Sequence, residues 1–528
     1  MYNKKKVNMF KKYFFNKENS NYLYLFIFYS IAHIWIFFLS NSLFWDDWSI
    51  YGSSQEINNL RFLMSGNPFF GSIHELLLKV GLPIYRYTTY IIIFITSIFI
   101  DKILIRTNLI SNDMRFGLCL LYLTTPFYIA RVTIICFPYT FCLFLFFAAW
   151  FFFNKYRFLS IILFLISFTT NSLLVFYCLP VFEDFFIKFK SFSLKKYIER
   201  NIFILLLPFA FYISKIFIFK PFGIYKGYLS NFDIKNIFTA SFFQLIDAIK
   251  LKSNFIILIP ILVLFISYIF YKFIFSNTDC SDRKNARIFF IFGIISFISG
   301  VFPYWILNYT PAFNGWLSRH QLLMPLGIAI IISSMLLNFN FEGRRILLSM
   351  FVSIFLIINI SNYFSLISDN IKQNQIVEIL SNKINVKNSN LIVFEDNTNN
   401  ALDRKYRFYE WNGLINKAYP AKNIIGINSF ESIDQLNFIS KIYQSKCQNF
   451  YGIKNNSLPD EIEISKLKII YSSVTGPNSF ITNIFYRLKN FNTKPIEIEI
   501  VDKYKIDKNL LIPKRGINLI NCKALENK

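Results

Sequence analysis

Two adjacent acids are the feature of this sequence best suited to chemistry. Asp46 and Asp47 follow a long apolar stretch, and Trp45 and Trp48 enclose them. One of two neighbouring carboxylates can take a proton from a substrate while the other positions it or holds a cation. Their mutual repulsion raises the pKa of at least one, which favours a base active near neutral pH. The alternative is an interfacial loop in which the acids are solvated and the Trp side chains anchor a helix at the headgroups.

A basic pair precedes an apolar run later in the chain. Arg319 and His320 lie in the polar stretch that runs from Trp316 to Gln321. The planar guanidinium of Arg319 matches the oxygens of a phosphate group, and His320 can add a hydrogen bond or a proton. The alternative for Arg319 is a side chain that extends from the end of a span to the lipid headgroups.

A third cation lies in a very short turn between two apolar runs. Arg131 occupies this turn, and Tyr128 lies just before it. A charge at such a position must pair with another group or line a cavity. We expect the partner of Arg131 to be Asp46, Asp47 or a lipid phosphate. Arg131 and Tyr128 are therefore candidate substrate- or phosphate-binding residues.

Several further side chains are weaker candidates. Lys226 lies in a glycine-containing segment, so contact with a sugar or phosphate and simple loop flexibility explain it equally well. His33 lies in the middle of an apolar stretch, where a histidine either functions or, in its neutral form, bonds to a neighbouring helix. His74 and Glu75 either contact substrate or lie on a solvated face.

The composition places these residues in a membrane protein. Of the 528 residues, 54% are hydrophobic and only 16% are charged, whereas soluble domains carry about a quarter charged residues. Many apolar blocks approach the roughly 20 residues that a membrane span requires. We predict about eleven spans within residues 22–368, including two short ones in 157–187 that are broken at Thr169 to Ser172. The other spans are predicted at 22–44, 83–104, 115–129, 132–153, 201–219, 253–275, 288–307, 321–338 and 346–366.

The distribution of lysines sets the expected orientation. Residues 1–21 form a basic tail, which the positive-inside rule keeps in the cytoplasm. Counting spans from this tail places the first loop, residues 45–82, and the region from 369 onward outside the inner (plasma) membrane. The net charge of +25 arises in the tail and loops, which meet anionic lipid headgroups. We therefore expect membrane lipids as partners and no nucleic acid.

The first loop also contains an apolar pattern. Residues 55–80 are predicted to form an amphipathic helix in the membrane surface, broken at Gly66 to Pro68. Its apolar residues are expected to face lipid. These are Leu60, Leu63, Met64, Phe69, Phe70, Ile73, Leu76 and Leu77.

The composition becomes mixed after Asp369. Residues 369–528 are predicted to form a soluble α/β or α+β domain with strands near 391–394, 468–471 and 496–501 and helices near 371–383 and 432–445. Cys447 and Cys522 would lie in an oxidising compartment, so a disulfide between them is permitted. The predicted fold class is an α-helical polytopic membrane protein with a C-terminal soluble domain.

An acidic pair followed by an interfacial helix, outside a polytopic bundle, resembles the GT-C superfamily of membrane glycosyltransferases. The resemblance covers the topology of residues 1–368, and its motif is the pair Asp46 and Asp47. Members of that superfamily carry essential acids in the first extracytoplasmic loop and often end in a soluble domain outside. The resemblance implies a GT-C-like module at 22–368 and a donor that carries its sugar on a polyprenyl phosphate.

The resemblance also implies a role for each candidate residue. Asp46 or Asp47 would act as the base of a direct inverting displacement, with a glycan, lipid or protein as acceptor. The residues expected to bind the substrate or its phosphate are Arg131, Arg319, His320, Tyr128 and Lys226. A divalent cation held by the two acids is left open. Nucleotide sugars are absent outside the membrane, so no P-loop or Rossmann motif is needed, and the sequence shows neither.

Two other classes of protein remain open at this point. An O-antigen polymerase or ligase would rely on basic loops, without an acidic pair or a sizeable outer domain. A transporter or channel would place charged or broken helices through the membrane centre. The only obvious group of that kind in the sequence is His33.

Overall fold

The computed structural model shows a mostly helical chain that ends in a small sheet. It describes residues 17–188, 194–225, 268, 285–307, 309, 315–386, 388–398, 402, 404–420, 424–428, 461–471 and 496–507. The helices that precede residue 226 are α1 (Lys17–His33), α2 (Asp47–Tyr51), α3 (Gln55–Met64), α4 (Pro68–Val80), α5 (Pro83–Thr107), α6 (Asn112–Thr124), α7 (Phe137–Phe152), α8 (Arg157–Ser167), α9 (Ser172–Phe176), α10 (Cys178–Lys188), α11 (Leu194–Leu205) and α12 (Leu207–Ile218). The later ones are α13 (Ala286–Trp305), α14 (Met324–Leu336), α15 (Phe341–Asn382) and α16 (Phe408–Ala418).

Five described helical segments are long and apolar enough to cross a membrane. They are Asn21–Leu39, Pro83–Thr107, Lys195–Ile218, Ala286–Trp305 and Glu342–Asn382. Their outward apolar side chains fit a lipid environment, since Phe203 is 87% exposed and Phe217 is 81% exposed. These segments account for part of the eleven predicted spans. The predicted span at 253–275 lies outside the described residues.

Other predicted spans correspond to shorter apolar helices. Phe137–Phe152, Arg157–Ser167 and Met324–Leu336 have 10 to 17 residues each. Short 3-10 helices precede two of these segments, at Ile129–Val132 and Trp316–Gln321. They carry Arg131, Arg319 and His320, and the side chains of Arg131 and His320 are buried.

Both breaks predicted from turn residues are present. The helical run between 157 and 188 is interrupted at residues 168–171, between α8 and α9. The first loop divides at residues 65–67 into α3 and α4, with Gly66 at φ 76° and Pro68 as the first residue of α4. The expectation that the apolar residues of the loop lie in the membrane surface fits only some of them. Met64 and Phe70 are buried in the protein, and Phe69, Ile73 and Leu77 pack partly buried against its core, whereas Leu63 and Leu76 are exposed.

One helix connects the apolar bundle to the C-terminal sheet. α15 has 42 residues, which corresponds to about 60 Å and is roughly twice the thickness of the hydrocarbon core. The boundary predicted near residue 369 falls inside this helix, and the helix predicted at 371–383 is its last part. α15 runs without a break from the bundle to the residues that precede the sheet.

The sheet has four strands in the order β2-β1-β3-β4. These are β1 (Leu391–Asp396), β2 (Ile425–Asn428), β3 (Glu461–Tyr471) and β4 (Ile496–Asp507). β1 pairs in parallel with both β2 and β3, while β4 runs antiparallel to β3. α16 connects β1 to β2 and packs on β2, so the three parallel strands follow the α/β pattern. The three predicted strands are confirmed, although β3 and β4 are longer than predicted. The helix predicted at 432–445 and Cys447 and Cys522 lie outside the described residues.

Candidate active site

The two acids lie at a sharp turn that begins α2. Trp45 has φ 50°, a left-handed conformation that is unfavourable for a bulky side chain. Asp46 precedes the first helical residue and Asp47 opens the helix. The turn therefore directs the two carboxylates to different surroundings. Strained backbone of this kind clusters at functional sites, because neighbouring contacts must maintain it.

Asp47 is fully buried, and both of its oxygens are occupied. Oδ2 accepts a hydrogen bond from the backbone N–H of Phe44 at 3.2 Å and lies 3.6 Å from Nη2 of Arg86. Oδ1 accepts from the backbone N–H of Ile135 at 3.1 Å. Burial raises the pKa of Asp47 to about 6, although Arg86 and the backbone donors act in the opposite direction. Asp47 therefore ties the turn to α5 and to the start of α7, and its predicted role as the base stays a prediction.

Asp46 is the acid that remains open. It is partly buried, and its Oδ1 accepts a hydrogen bond of 2.5 Å from the hydroxyl of Tyr409 on α16. No residue in the described part of the chain donates to its Oδ2. Asp46 thus has one oxygen fixed by a neutral donor and one available to a substrate proton.

A buried ion pair of the C-terminal domain adjoins this carboxylate. Nη2 of Arg404 lies 2.7 Å from Oε2 of Glu410, which also accepts from the backbone N–H of Arg407 at 2.8 Å. Burial raises the pKa of Glu410 to about 7, against the opposing effect of Arg404. The charge of Asp46 acts on both members of the pair and on Tyr409. Sequence reasoning missed this set, because nothing in the sequence relates residues so far apart.

Arg319 lies on the other side of the turn. Its guanidinium carbon is 4.1 Å from the ring centre of Trp316, and that ring is 5.7 Å from the ring of Trp45. Nη1 of Arg319 and Nε1 of Trp45 are buried and have no hydrogen-bond partner among the described residues. The charges of Asp46 and Arg319 both act on Cys136. Arg319 and Asp46 therefore lie in one region, and the two unpartnered N–H groups there suit an anionic or hydroxyl-bearing ligand.

His320 and Gln321 extend this set of polar groups. His320 stacks on Tyr309 at 4.6 Å, and burial, with a further effect of Arg319, lowers the pKa of His320 to about 3. A neutral ring can exchange hydrogen bonds but carries no extra proton at pH 7, which favours the predicted hydrogen bond over the predicted proton transfer to a phosphate. Nε2 of His320 and both amide atoms of Gln321 are buried without a partner in the described region. Gln321 was missed, although a polar residue at the start of a predicted span was a signal.

Arg131 pairs with neutral groups and not with an acid. Its Nη2 lies 2.9 Å from Nδ1 of His33 and 3.4 Å from Oδ1 of Asn359. Nε2 of His33 donates to the carbonyl of Leu123 at 2.8 Å, so Nδ1 is the acceptor and the ring is neutral. The expected pairing of Arg131 with Asp46 or Asp47 was wrong. Its side chain enters the bundle between α1 and α15, and Arg86 of α5 occupies the position beside Asp47.

The short turn before α7 is fastened both to α7 and to the 3-10 helix that carries Arg319. The hydroxyl of Tyr128 lies 3.2 Å from Oγ1 of Thr140 and donates to the carbonyl of Cys136 at 3.4 Å, so this buried ring holds the start of α7. The backbone N–H of Ala130 donates to Oγ of Ser318 at 2.9 Å, which fastens the turn to the 3-10 helix that carries Arg319. Lys226 lies outside the described residues.

The two acids do not both present an open oxygen. Asp47 is occupied on both oxygens, so of the pair only Asp46 presents an open one. In the described part of the chain, no group of three or more His, Cys, Asp or Glu side chains is arranged to hold a metal ion. The chemistry that the geometry displays is that of one carboxylate flanked by cationic and N–H donors.

Comparison with known proteins assigns no family. No protein-family model, no curated protein and no solved structure matches the chain. The functional argument therefore depends on the residues themselves.

Proposed function

We propose that this chain is a GT-C-type membrane glycosyltransferase with about eleven spans. It transfers a sugar from a polyprenyl-phosphate donor to a glycan, lipid or protein acceptor on the outer side of the cell's inner membrane. The observation that carries the proposal is that a carboxylate and a cation with unused polar atoms lie in one region. Asp46 has an open oxygen, and Arg319, which stacks on the Trp316 ring next to Trp45, has a buried N–H group that no described residue uses.

Asp46 is the base of the proposed reaction. Its Oδ2 takes the proton of the acceptor hydroxyl as that oxygen attacks the anomeric carbon of the donor. The bond from the anomeric carbon to the phosphate oxygen breaks on the opposite face, and its electron pair leaves with the polyprenyl phosphate. A single displacement of this kind inverts the configuration at the anomeric carbon.

Arg319 supports the departure of the phosphate. Its guanidinium is oriented by the face of Trp316, so its free N–H groups are fixed in direction before the substrate binds. A preorganised donor at the place where negative charge develops stabilises the transition state without further reorganisation. The indole N–H of Trp45 can add a neutral donor to the same anion or to a sugar hydroxyl.

The surroundings fit a lipid-linked donor. Five described segments have the length and composition of membrane spans, and the 3-10 helix with Arg319 ends directly before the apolar helix α14. A phosphate held there has its hydrocarbon chain next to apolar surface. The expected partners are therefore the donor lipid, an acceptor and membrane lipids, with no part for nucleic acid.

The proposal is tested in the native host with Asp46→Asn. Loss of the base should block consumption of the donor, so mass spectrometry of lipid extracts should show a polyprenyl-phosphate sugar that accumulates about 10-fold or more. Its mass identifies the sugar. Glu56→Gln is the matched control, because Glu56 is an exposed acid of the same loop, and it should leave the lipid pool unchanged. An Asp46→Asn strain with a normal lipid pool and a normal amount of folded protein would contradict the proposal.

A further inference from the structure

The feature that matters in the C-terminal domain is the end of the sheet where the parallel strands terminate. Ligands of such sheets bind beyond the carboxyl ends of the parallel strands. At this edge Asp396 ends β1, and its Oδ2 lies 2.6 Å from Nζ of Lys372 on α15. Asn428 ends β2 and donates to the carbonyl of Tyr406, whose hydroxyl donates to Asp369 at 2.7 Å. The edge is therefore turned towards α15.

α16 is pressed against the turn that carries the two acids. A Cβ on Gly413 would overlap the indole of Trp48, so only glycine permits this separation of α16 and α2. Nζ of Lys417 lies 4.7 Å from the ring centre of Trp48. Nε2 of Gln373 on α15 donates to the carbonyl of Leu43 at 3.1 Å. Three separate contacts thus hold α15 and α16 on the segment from Leu43 to Trp48.

This docking brings Tyr409 to the catalytic carboxylate. Its hydroxyl is the only described donor to Asp46 Oδ1, and the ring is buried between Arg404 and the loop. Burial and the nearby charge of Asp46 raise the pKa of Tyr409, so the phenol keeps its proton at every working pH. A phenol that stays protonated is a permanent donor.

From these contacts we infer that the domain after residue 369 completes the active site, and that Tyr409 is a positioning residue that fixes the carboxylate of Asp46. The inference rests on the proposed function. The bond to Oδ1 leaves Oδ2 directed at the acceptor and stabilises the charged carboxylate. The other charged or titratable groups around Asp46 are Asp47 on α2, Cys136 before α7, Arg319 on its 3-10 helix, and Arg404 and Glu410 of the C-terminal domain. Of the groups around Asp46, the neutral phenol of Tyr409 is the one that bonds it directly among the described residues.

The test uses the donor lipid extracted from Asp46→Asn cells and measures release of polyprenyl phosphate by membranes that contain the full chain, from pH 4 to pH 9. For Tyr409→Phe, loss of a hydrogen bond to a charged group should lower kcat roughly 10- to 100-fold with little change in KM for the donor. The acidic limb of the pH profile should move to higher pH, because the carboxylate loses a hydrogen-bond donor. Tyr419→Phe is the control, since Tyr419 bonds only to backbone carbonyls of Leu380 and Ile384 among described residues.

A second variant should move the acidic limb of the pH profile in the opposite direction. Incorporation of 3-fluorotyrosine at position 409 makes the phenol a stronger donor and keeps its shape, so the acidic limb should move to lower pH. If Tyr409 had only a structural role, the variants would change the amount of folded protein and leave the pH profile in place. Unshifted profiles for both variants would overturn the inference, even where Asp46→Asn accumulates the donor as proposed. A normal lipid pool in Asp46→Asn cells would instead defeat the proposed function itself.

Discussion

At the scale of single residues, neighbouring acids with the same chemistry have different surroundings. Asp47 points into the protein, where two backbone N–H groups and Arg86 use its oxygens, whereas Asp46 points towards the C-terminal domain with one oxygen open. The cause is local: the left-handed turn at Trp45 separates the two side chains at the start of α2. The sequence indicated that the carboxylate pair was important, but not which of the two would have an open oxygen. That depends on Arg86, which lies 39 positions after Asp47 in the sequence.

We expect Asp47 to be required for stability, because it is the buried anion next to the guanidinium of Arg86. Asp47→Asn leaves the buried guanidinium without its anion, which should lower the free energy of unfolding in detergent by about 3 kcal/mol. Arg86→Met should rescue much of that loss in the double variant, since the pair is then removed as a unit. Asp46→Asn should change the unfolding free energy far less. Additive losses for Asp47→Asn and Arg86→Met would show that the two side chains do not interact.

His74 provides a prediction for acid pH. The ring is fully buried between Phe62 and Tyr85, and burial, with a further effect of Arg61, lowers its pKa to about 3. The unfolded value is near 6.5, so the stability due to the neutral ring is fully present above pH 6.5 and is lost as pH falls towards 3. At pH 5.0 the loss should be about 2 kcal/mol relative to pH 7.5.

The measurement compares His74→Phe with the wild-type chain at those two pH values. Phe keeps the stacking between the two rings but cannot take up a proton. The variant should therefore lose about 2 kcal/mol less than the wild type between pH 7.5 and pH 5.0. Because the lost hydrogen bond to Tyr85 is a constant offset, it cancels in this comparison. Equal losses for both proteins would contradict the assigned pKa shift.

At the scale of helices and strands, prediction succeeded where the signal was local. The break in the first loop follows from Gly66 and Pro68, and the strands follow from short apolar runs bounded by polar residues. It failed for the partner of Arg131, because His33 and Asn359 reach that side chain from helices distant in sequence. The prediction that His33 bonds to a neighbouring helix is confirmed by its contact with the carbonyl of Leu123, although its contact with Arg131 was not predicted.

The contact between α2 and α16 yields a prediction about an element. Gly413→Ala should force the two helices apart, since the new methyl group overlaps the indole of Trp48. Overpacking of this kind costs about 1–3 kcal/mol in unfolding free energy, and it should also break the bond between Tyr409 and Asp46 and reduce sugar transfer. Gly117→Ala is the control, because its methyl group meets only the flexible end of Leu348. A Gly413→Ala chain with full stability and activity would show that α16 does not pack on α2 in this way.

At the scale of the whole molecule, the long helix and the docked domain determine the arrangement. α15 carries Asn359 in the bundle, Gln373 against Leu43 just before the first loop, and Lys372 at the sheet, and so joins three regions through one continuous helix. The sequence predicted a bundle, an acidic loop and a terminal domain separately. It could not predict that the loop and domain share one site, because Asp46 and Tyr409 are 363 positions apart.

This shared site constrains the topology of the chain. Asp46 and Tyr409 are hydrogen-bonded, so the first loop and the C-terminal domain must lie on the same side of the membrane, with an even number of crossings between them. The ten spans predicted after the first one satisfy this condition, and so do the four candidate segments described after Asn21–Leu39. The basic tail predicts that the common side is the outer one.

Labelling with a membrane-impermeant thiol reagent on intact cells tests this topology. Ser54→Cys in the first loop and Lys383→Cys after α15 replace exposed residues, and both should be labelled above the background of the parent chain. Asn108→Cys, at the opposite end of α5, should be labelled only after the cells are permeabilised, because that helix is long enough to cross the membrane once. Labelling of Ser54→Cys without Lys383→Cys would separate the loop from the domain and break the shared site. Labelling of Asn108→Cys alone on intact cells would invert the chain and place Asp46 on the cytoplasmic side, where nucleotide sugars would replace the lipid donor.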